Sequence, residues 1–395
     1  MQSDLNPWVE FALFLAAVAG TAIATPVAMR LALRVGLVDR PAPHKFHARP
    51  TPYLGGLAIL VSVMGAIVGA MALNPSIRSQ YMAIGLGATA MAAVGLLDDW
   101  LTLRATPRIL VQVVAALGLW SVGIRLTPTG VHAADLVVTV LVVVAITNSV
   151  NLLDNMDGLS TGVVAIASLY LFVVATAQGQ HLVDVMALVL GGACLGFLPY
   201  NFSPARIFLG DSGTLFMGFL LSSLVLKVNL VGFPLASRVV VPGLILFVPL
   251  FDMSLVVLSR WRGGRGVFAG GTDHSSHRIV SLGLTPRDAA EVSYAVALAA
   301  GGLGILLVAA HSVAVTLVVA IPVVATTLVA MWYLELAHRR GAPTNAPAGA
   351  PSGPPTDAQA AEPAAGTGSN PLRHHLRPPR RPRAHVPVRS STEQS

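Results

Sequence analysis

Long apolar runs separated by short polar connections make up most of the first 340 residues. Eleven runs are long enough, or nearly long enough, to cross about 30 Å of hydrocarbon as helices. They cover 8–30, 54–73, 81–97, 109–124, 134–147, 159–177, 183–199, 213–231, 239–259, 289–310 and 313–335. The pattern predicts an all-α polytopic membrane protein with about eleven transmembrane helices, in which residues 1–340 form one transmembrane domain.

Basic residues are distributed unequally over the connections between these runs. The odd-numbered connections hold twelve Lys and Arg residues and the even-numbered connections hold four. Basic residues are retained on the cytoplasmic side of a membrane. We therefore expect cytoplasmic odd connections, an N-terminus outside and a cytoplasmic C-terminus.

Composition supports the membrane class and removes others. The chain is 54% hydrophobic and 11% charged, whereas soluble domains carry roughly a quarter charged residues. Its one cysteine, Cys194, excludes a disulfide framework and a multi-cysteine metal site. The first apolar run lacks the pattern of a cleaved signal peptide, so we interpret it as a retained span. Membrane topology accounts for the net charge of +7, and we expect no nucleic-acid partner.

The segment 341–395 is rich in Pro, Ala and Arg. It has too few large apolar side chains to bury a core, so we expect a disordered cytoplasmic tail.

The dense polar motifs all fall on odd connections. They are DRPAPHKFHARPTPYLGG (39–56), the acidic pair in GLLDDW, NSVNLLDNMDG (148–158), YNFSPARIFLGDSGT (200–214) and GGTDHSSHRIVSLGL (270–284). Polar groups at the ends of membrane helices are costly unless they have partners or a function. One site assembled from five loops on one side of the membrane explains this distribution.

Two of these motifs carry carboxylates. Asp98 and Asp99 suit a divalent cation or a general base, or they are a charge pair that faces water. Asn151, Asp154 and Asp157 follow one another at intervals of three residues, which places them roughly on one face of a helix. Their oxygens suit Mg²⁺, and the alternative is an ordinary capped turn.

The motif at 200–214 contains groups with two interpretations each. Asp211 precedes an apolar run, where Asp211 or Ser212 could simply cap a helix. Phe208 could stack on a base, or it could simply face lipid or pack in the core.

The last motif brings His274, His277 and Arg278 together. An HxxH spacing suggests zinc, but the further ligands that zinc needs are missing. Donors to phosphate fit better, and ordinary positive-inside charge is the alternative. Lys45, His47 and Arg49 in the first connection add cationic donors. Carboxylates for Mg²⁺ beside cations for phosphate are typical of phosphoryl transfer.

Five motifs in order resemble those of the polyprenyl-phosphate N-acetylhexosamine-1-phosphate transferases. They are HARPTPYLGG, LLDDW, NSVNLLDNMDGL, FLPYNFSPARIFLGDSGTLFMG and DHSSHRIVSLGL. The HxRPxPxxGG and HxxHR patterns are similar to the N-acetylglucosamine branch. The chain lacks the triple His of the phospho-N-acetylmuramoyl-pentapeptide transferases, and it also departs from the commoner HxHHR form.

The resemblance implies a role for each matching residue. Asp211 and Asn151 match metal ligands, and Asp98 and Asp99 match an acidic pair that deprotonates or positions the lipid phosphate. Asp154 matches an acid once proposed as a nucleophile. Asp157, Asn201 and Phe208 match residues around the uridine. His274, His277 and Arg278 match residues of the loop that holds the diphosphate and the sugar.

The resemblance also implies the reaction. A sugar 1-phosphate, with GlcNAc 1-phosphate expected, moves from a UDP-sugar to undecaprenyl or decaprenyl phosphate, UMP leaves, and Mg²⁺ or Mn²⁺ assists. This is the first lipid-linked step of cell-wall or surface polysaccharide synthesis. The composition is typical of a GC-rich bacterial genome, so we expect a multi-pass protein of the bacterial inner (plasma) membrane with its site facing the cytoplasm. The oligomeric state is left open between monomer and homodimer.

Three alternatives stay open at this stage. One is the phospho-MurNAc-pentapeptide substrate. A secondary transporter or flippase would also place charged groups near a membrane face, although the chain shows no repeated halves. A scaffold acting through its tail would not need the loop carboxylates.

Overall fold

The computed structural model describes residues 7–39, 50–73, 75–228, 230, 232–267 and 271–341. Lys45, His47 and Arg49 lie outside the described residues, as does the predicted tail beyond residue 341. The described helices are α1 Pro7–Val35, α2 Gly55–Leu73, α3 Arg78–Leu101, α4 Ala105–Ser121, α5 His132–Leu153, α6 Leu159–Ala177, α7 His181–Asn201, α8 Gly210–Lys227, α9 Leu235–Ile245, α10 Phe247–Arg262, α11 Ser275–Ser281, α12 Pro286–Ala310 and α13 Val313–Gly341.

The apolar runs of the sequence become membrane helices. Within the described residues, eight helices are long and apolar enough to cross a membrane, and there are nine if α9 and α10 form one broken span. Large apolar side chains such as Val61, Leu86, Leu141 and Val318 are exposed on their outer faces. A water-soluble protein seldom exposes so much apolar surface, whereas a membrane protein presents it to lipid. The predicted all-α polytopic class is confirmed.

The predicted run 239–259 is not one straight helix. It forms α9 and α10, which meet at Leu246 with a bend of 82°. Pro249 lies in the first turn of α10, where its missing N–H breaks no bond. A continuous helix would instead lose the hydrogen bond from residue 249 to the carbonyl of Ile245.

Helix α8 lies at the centre of the bundle. Within it only Asp211 and Lys227, near its two ends, are not buried. A helix that is apolar on all sides is a core helix, and α8 packs against α2, α3 and α5. Gly56 and Gly95 permit this packing, because a Cβ atom at either position would lie 2.3 Å from the α8 backbone.

Two short strands hold the first connection against the seventh. β1 (Val38–Asp39) pairs antiparallel with β2 (Thr51–Pro52). The Phe208 N–H donates to the Pro52 carbonyl at 2.9 Å, and the Gly55 N–H donates to the Phe208 carbonyl at 3.0 Å. The chain therefore brings the first polar motif to the end of the bundle where α8 begins.

Candidate active site

The start of α8 is capped by a carboxylate from another helix. The Asp99 Oδ1 atom accepts from the Asp211 N–H at 2.8 Å, and Oδ2 accepts from the Ser212 N–H at 3.2 Å. The first turn of a helix has free N–H groups and a positive dipole end, so an anion there is stabilised. The expectation that Asp211 or Ser212 caps α8 is wrong, because the N-cap residue is Leu209 and both residues lie within the first turn of the helix. The Asp211 carboxylate is thus left for another use.

Asp98 is not a charge that faces water. It is buried, and its Oδ2 accepts from Arg108 Nη1 at 2.6 Å while its Oδ1 accepts from the Leu103 N–H at 2.6 Å. The same Arg108 nitrogen lies 3.5 Å from Asp211 Oδ2. Arg108 therefore neutralises part of the negative charge that α3 and α8 bring together.

Asn151 joins α5 to α8. Its Nδ2 donates to Asp211 Oδ1 at 2.7 Å and to Thr214 Oγ1 at 2.8 Å. Its Oδ1 accepts no hydrogen bond from the described residues and is the atom left for a ligand. The predicted helical face is correct only as far as Asn151, since α5 ends at Leu153 and Asp154 is its C-cap residue.

Asp154 and Asp157 lie in the turn between α5 and α6. Burial raises the pKa of Asp154 to about 8, and the charges of Asp211, Asp99 and Asp157 act in the same direction. Asp157 Oδ2 accepts from the Ala205 N–H at 2.9 Å and so fixes the seventh connection. Asp98, Asp99, Asp154 and Asp211 are called the acid cluster below. Such a concentration of carboxylates is stabilised by a cation.

The residues predicted around uridine have different environments. Asn201 is buried, with its Oδ1 accepting from Thr161 Oγ1 at 2.9 Å and its Nδ2 donating to the Ile207 carbonyl at 3.1 Å. These bonds give it a part in holding the loop. Phe208 is half-buried, and its ring centroid lies 5.7 Å from that of Tyr53. Contact of these residues with uridine stays a prediction.

The ninth connection contains a short helix, α11, that the sequence did not reveal. Residues 273–278, called the His segment below, lead into and form its start. His274 Nδ1 lies 2.8 Å from Asp252 Oδ2, and Asp252 Oδ1 accepts from both the N–H and the Oγ of Ser275 at 2.7 Å. The Ser276 hydroxyl bonds Asn155 Oδ1, which joins the His segment to the turn after α5.

The cations of the His segment have carboxylate or carbonyl partners. Arg278 is buried, with Nη1 donating to Glu335 Oε2 at 2.8 Å and Nε donating to the Asp273 carbonyl at 2.9 Å. Burial opposes ionisation of Asp273, but hydrogen bonds from Arg265 and Arg260 outweigh it and hold the pKa of Asp273 below its usual range. The structure places the Arg278 guanidinium against α13, and its predicted contact with phosphate stays a prediction.

His277 is half-buried, with its ring centroid 5.9 Å from that of His274. Burial lowers the pKa of His277, and His274 adds to the effect. Both rings therefore lie together at the start of α11.

Known proteins with similar sequences identify the family of this chain. A family model described as glycosyl transferase family 4 matches residues 81–229. The chain is 35% identical over 281 residues to a Bacillus subtilis protein named as a probable undecaprenyl-phosphate N-acetylglucosaminyl 1-phosphate transferase, over 69% of this chain and 77% of the relative. The chain belongs to glycosyl transferase family 4.

Other relatives in glycosyl transferase family 4 differ in their named substrate. A Mycobacterium tuberculosis decaprenyl-phosphate N-acetylglucosaminephosphotransferase is 31% identical over 308 residues, over 69% of this chain and 76% of the relative. A phospho-N-acetylmuramoyl-pentapeptide-transferase of Desulforudis audaxviator is 33% identical over 202 residues, over 42% of this chain and 60% of the relative. The resemblance drawn from the five motifs, including the N-acetylglucosamine branch, is confirmed.

The family 4 site can be tested for its fit to Mg²⁺. Among the described residues, no group of three or more His, Cys, Asp or Glu side chains has the arrangement of a metal site. Mg²⁺ is commonly held by one or two carboxylates together with substrate phosphates and water. The Asp211 side chain is 33% exposed, and the Asn151 Oδ1 atom is available beside it. The pair fits a cation whose coordination the substrate completes.

Sequence reasoning missed three groups at this family 4 site. Arg108 was counted only as a topology charge, although it lies one short turn beyond the acidic pair. Tyr53 faces Asp39, Asp99 and Asp154, whose charges add to burial in raising its pKa. Asp252 gave a signal as the only acid in the apolar run 239–259.

Proposed function

We propose that this family 4 protein transfers N-acetylglucosamine 1-phosphate from UDP-GlcNAc to a polyprenyl phosphate and releases UMP. The observation that carries the proposal is the convergence of five connections on the acid cluster. Relatives named for this transfer, with undecaprenyl or decaprenyl phosphate in their names, align over three quarters of their own length.

The proposed reaction is a direct displacement. An oxygen of the lipid phosphate forms a bond to the β-phosphorus of the UDP-sugar, and the bond from that phosphorus to the bridging oxygen of UMP breaks. A lipid phosphate with a second pKa near 6 is mostly dianionic at pH 7, so little proton transfer is needed. Asp98 or Asp99 accepts any remaining proton, and Arg108 lies where phosphoryl charge needs compensation.

The proposed metal ligands are Asp211 and Asn151, for Mg²⁺ or Mn²⁺. When bound, the ion neutralises diphosphate charge and stabilises UMP as the leaving group. On the nucleotide side, Phe208 offers a half-buried ring for stacking on uracil, and Asp157 has one carboxylate oxygen beyond its bond to Ala205. His277, Arg278 and the first-connection cations are the proposed donors to the diphosphate, and His274 is the proposed contact to the sugar.

A cavity supports a lipid acceptor. About 470 Å³ of space lies between α9, α10, α12 and α13, lined by side chains that include Phe247, Phe251, Val296, Leu303 and Val323. The lining is mainly apolar and runs to the start of α11, so a prenyl chain could lie there while its phosphate reaches the loops.

The topology forms part of the proposal. Each of the eleven apolar runs overlaps a described helix or, for 239–259, the broken pair α9 and α10. Eight of these helices, or nine with the broken pair, are long and apolar enough to cross a membrane, and the remaining crossings are part of the proposal. The unequal distribution of basic residues supports an N-terminus outside, a cytoplasmic C-terminus and a site at the cytoplasmic face of a bacterial inner membrane. Monomer and homodimer are both compatible with this arrangement.

A membrane assay tests the proposed function. Membranes with the expressed protein receive polyprenyl phosphate and radiolabelled UDP-GlcNAc, with Mg²⁺ or with a chelator. We expect labelled lipid and UMP in equal amounts, and only with the cation. Labelled UDP-MurNAc-pentapeptide is the matched alternative donor, which the shorter alignment with the pentapeptide transferases makes less favoured. Solute movement without UMP formation would instead show a transporter.

The same assay separates two chemical routes. In the direct route, UMP is released only when the lipid acceptor is present. A two-step route would use Asp154 as a nucleophile, form a phospho-sugar enzyme and release UMP from UDP-GlcNAc alone. Release of one UMP per protein without acceptor would overturn the direct route.

A further inference from the structure

Asp252 is a buried carboxylate that the proposed chemistry does not use. It lies in α10 within the apolar run 239–259 and is 0% exposed. Burial of a carboxylate is costly unless hydrogen bonds satisfy it. Both of its oxygens have partners, and both partners lie at the start of α11.

The two oxygens of Asp252 have separate partners. Oδ1 accepts from the N–H and the Oγ of Ser275 at 2.7 Å each, which holds the first turn of α11. Oδ2 lies 2.8 Å from His274 Nδ1. One side of the carboxylate therefore fixes the helix, and the other side contacts the imidazole ring.

The contact with Oδ2 determines which nitrogen of His274 is free. A carboxylate accepts only, so Nδ1 carries the proton in this bond. The Nε2 atom is then the one that points away from Asp252. Carboxylate partners of this kind fix the tautomer and the orientation of functional histidines.

The surroundings connect this pair with the acid cluster. The ring centroid of His277 lies 5.9 Å from that of His274. Ser276, two residues after His274, bonds Asn155, which is next to Asp154 in the chain. The ring of His274 is itself 6% exposed, so its position depends on its few contacts. A change at Asp252 would therefore alter a group at the edge of the site.

We propose that Asp252 is a positioning residue, which holds His274 so that its bare Nε2 is presented as an acceptor to a hydroxyl or amide N–H of the sugar in the donor substrate. The proposal rests on the proposed function, because it assigns Asp252 a part in that transfer. Asp252 acts through His274 and does not touch the substrate.

The test variant is Asp252→Asn. Its carboxamide oxygen can still accept from Ser275, which places the NH₂ group against His274 Nδ1. That contact requires a bare Nδ1 and moves the proton to Nε2. We expect kcat/KM for UDP-GlcNAc to fall roughly 10- to 100-fold, the range found for partners of metal-bound histidines.

Two comparisons separate positioning from a structural role. Ser275→Ala removes one bond to Oδ1 and leaves the His274 contact, so we expect activity within about twofold of wild type. In a His274→Gln background, Asp252→Asn should add less than about a twofold loss, since coupled residues are not additive. A residue that only supports the fold would cause the same loss in both backgrounds, which would overturn the proposal.

A spectroscopic measurement tests the contact without any activity. Histidine labelled with ¹⁵N is incorporated, and the His274 signals are assigned by their loss in His274→Gln. We expect a protonated Nδ1 in the wild type and a protonated Nε2 in Asp252→Asn. A bare Nδ1 in the wild type would overturn the proposal even if Asp252→Asn did not fold.

The proposed function and the positioning role of Asp252 are overturned by different results. A wild-type protein that transfers no sugar phosphate would remove the proposed function, while the ¹⁵N spectra would still report the Asp252–His274 contact. An active wild type with additive losses would remove only the positioning role.

Discussion

The charges of the acid cluster and those of the His segment are neutralised in different ways. In the acid cluster, Asp98, Asp99, Asp154 and Asp211 come together, and within the described residues Arg108 is the one cation bonded to them. Around the His segment, the acids Asp252, Asp273 and Glu335 are paired with His274, with two arginines and with Arg278, respectively.

This difference indicates different roles. Burial, together with the excess of negative charge in the acid cluster, raises the pKa of Asp154. That excess favours a bound cation. The His segment is balanced internally and needs no ligand to be stable. We therefore expect the acid cluster to respond to added metal. We expect the His segment to keep a fixed geometry.

The largest expected effect comes from Asp211→Ala. The substitution removes the carboxylate that accepts from Asn151 and is the proposed metal ligand, so we expect transfer to fall on the order of 10³-fold. The assay is the formation of labelled lipid at saturating Mg²⁺. Glu291→Gln is the matched control, because it removes an exposed acid paired with Arg287. Activity of Asp211→Ala near that of the control would exclude the metal assignment.

The next effect concerns Arg108→Gln. Without this cation, phosphoryl charge is less well compensated, and we expect kcat/KM to fall roughly 10- to 100-fold. The cluster becomes more negative, so the Mg²⁺ concentration at half-maximal rate should also decrease. Measuring activity over a range of Mg²⁺ concentrations gives both kcat/KM and the Mg²⁺ concentration at half-maximal rate. A higher Mg²⁺ requirement would contradict the role of Arg108 as a charge that competes with the metal.

The sequence predicts some features of the structure well and others not at all. The apolar runs predict the helices because span length follows from bilayer thickness. The motifs predict that Asp211, Asn151 and Asp154 converge, because alternate connections share one side of a membrane. Arg108 and Asp252 were not predicted, since their function depends on partners 103 and 22 residues away. The bend at Leu246 and the cap that Asp99 provides for α8 likewise depend on packing between helices.

Asp154→Asn should reduce activity less than Asp211→Ala or Arg108→Gln does, and its main effect should be on stability. In the direct route this acid is not a nucleophile, so we expect transfer to remain above roughly a tenth of wild type. A loss on the order of 10³-fold, together with UMP release that needs no acceptor in the wild type, would favour the covalent route.

The stability effect of Asp154→Asn has a defined sign. Burial raises the pKa of Asp154 to about 8, whereas the unfolded chain titrates near about 4. The stability contributed by the protonated form is therefore present at low pH and is lost as pH rises through about 8. Asn mimics the protonated form, so with a chelator present the variant should gain melting temperature relative to wild type at pH 8.5. The gain should be smaller at pH 5, and equal differences at both pH values would contradict the burial of this charge.

The smallest effect on turnover is expected from Glu335→Gln, which changes the contact between the His segment and α13. Arg278 would keep its bond to the Asp273 carbonyl but lose its counter-charge while remaining buried itself, which costs about 3 kcal/mol of stability. Because Asp252 still holds the start of α11, we expect transfer within about threefold of wild type at low temperature. The double variant Glu335→Gln, Arg278→Met should recover much of the melting temperature, since it removes the unpaired charge. If the double variant is no more stable than Glu335→Gln, the buried pair is not what joins α11 to α13, and the internal balance inferred for the His segment fails.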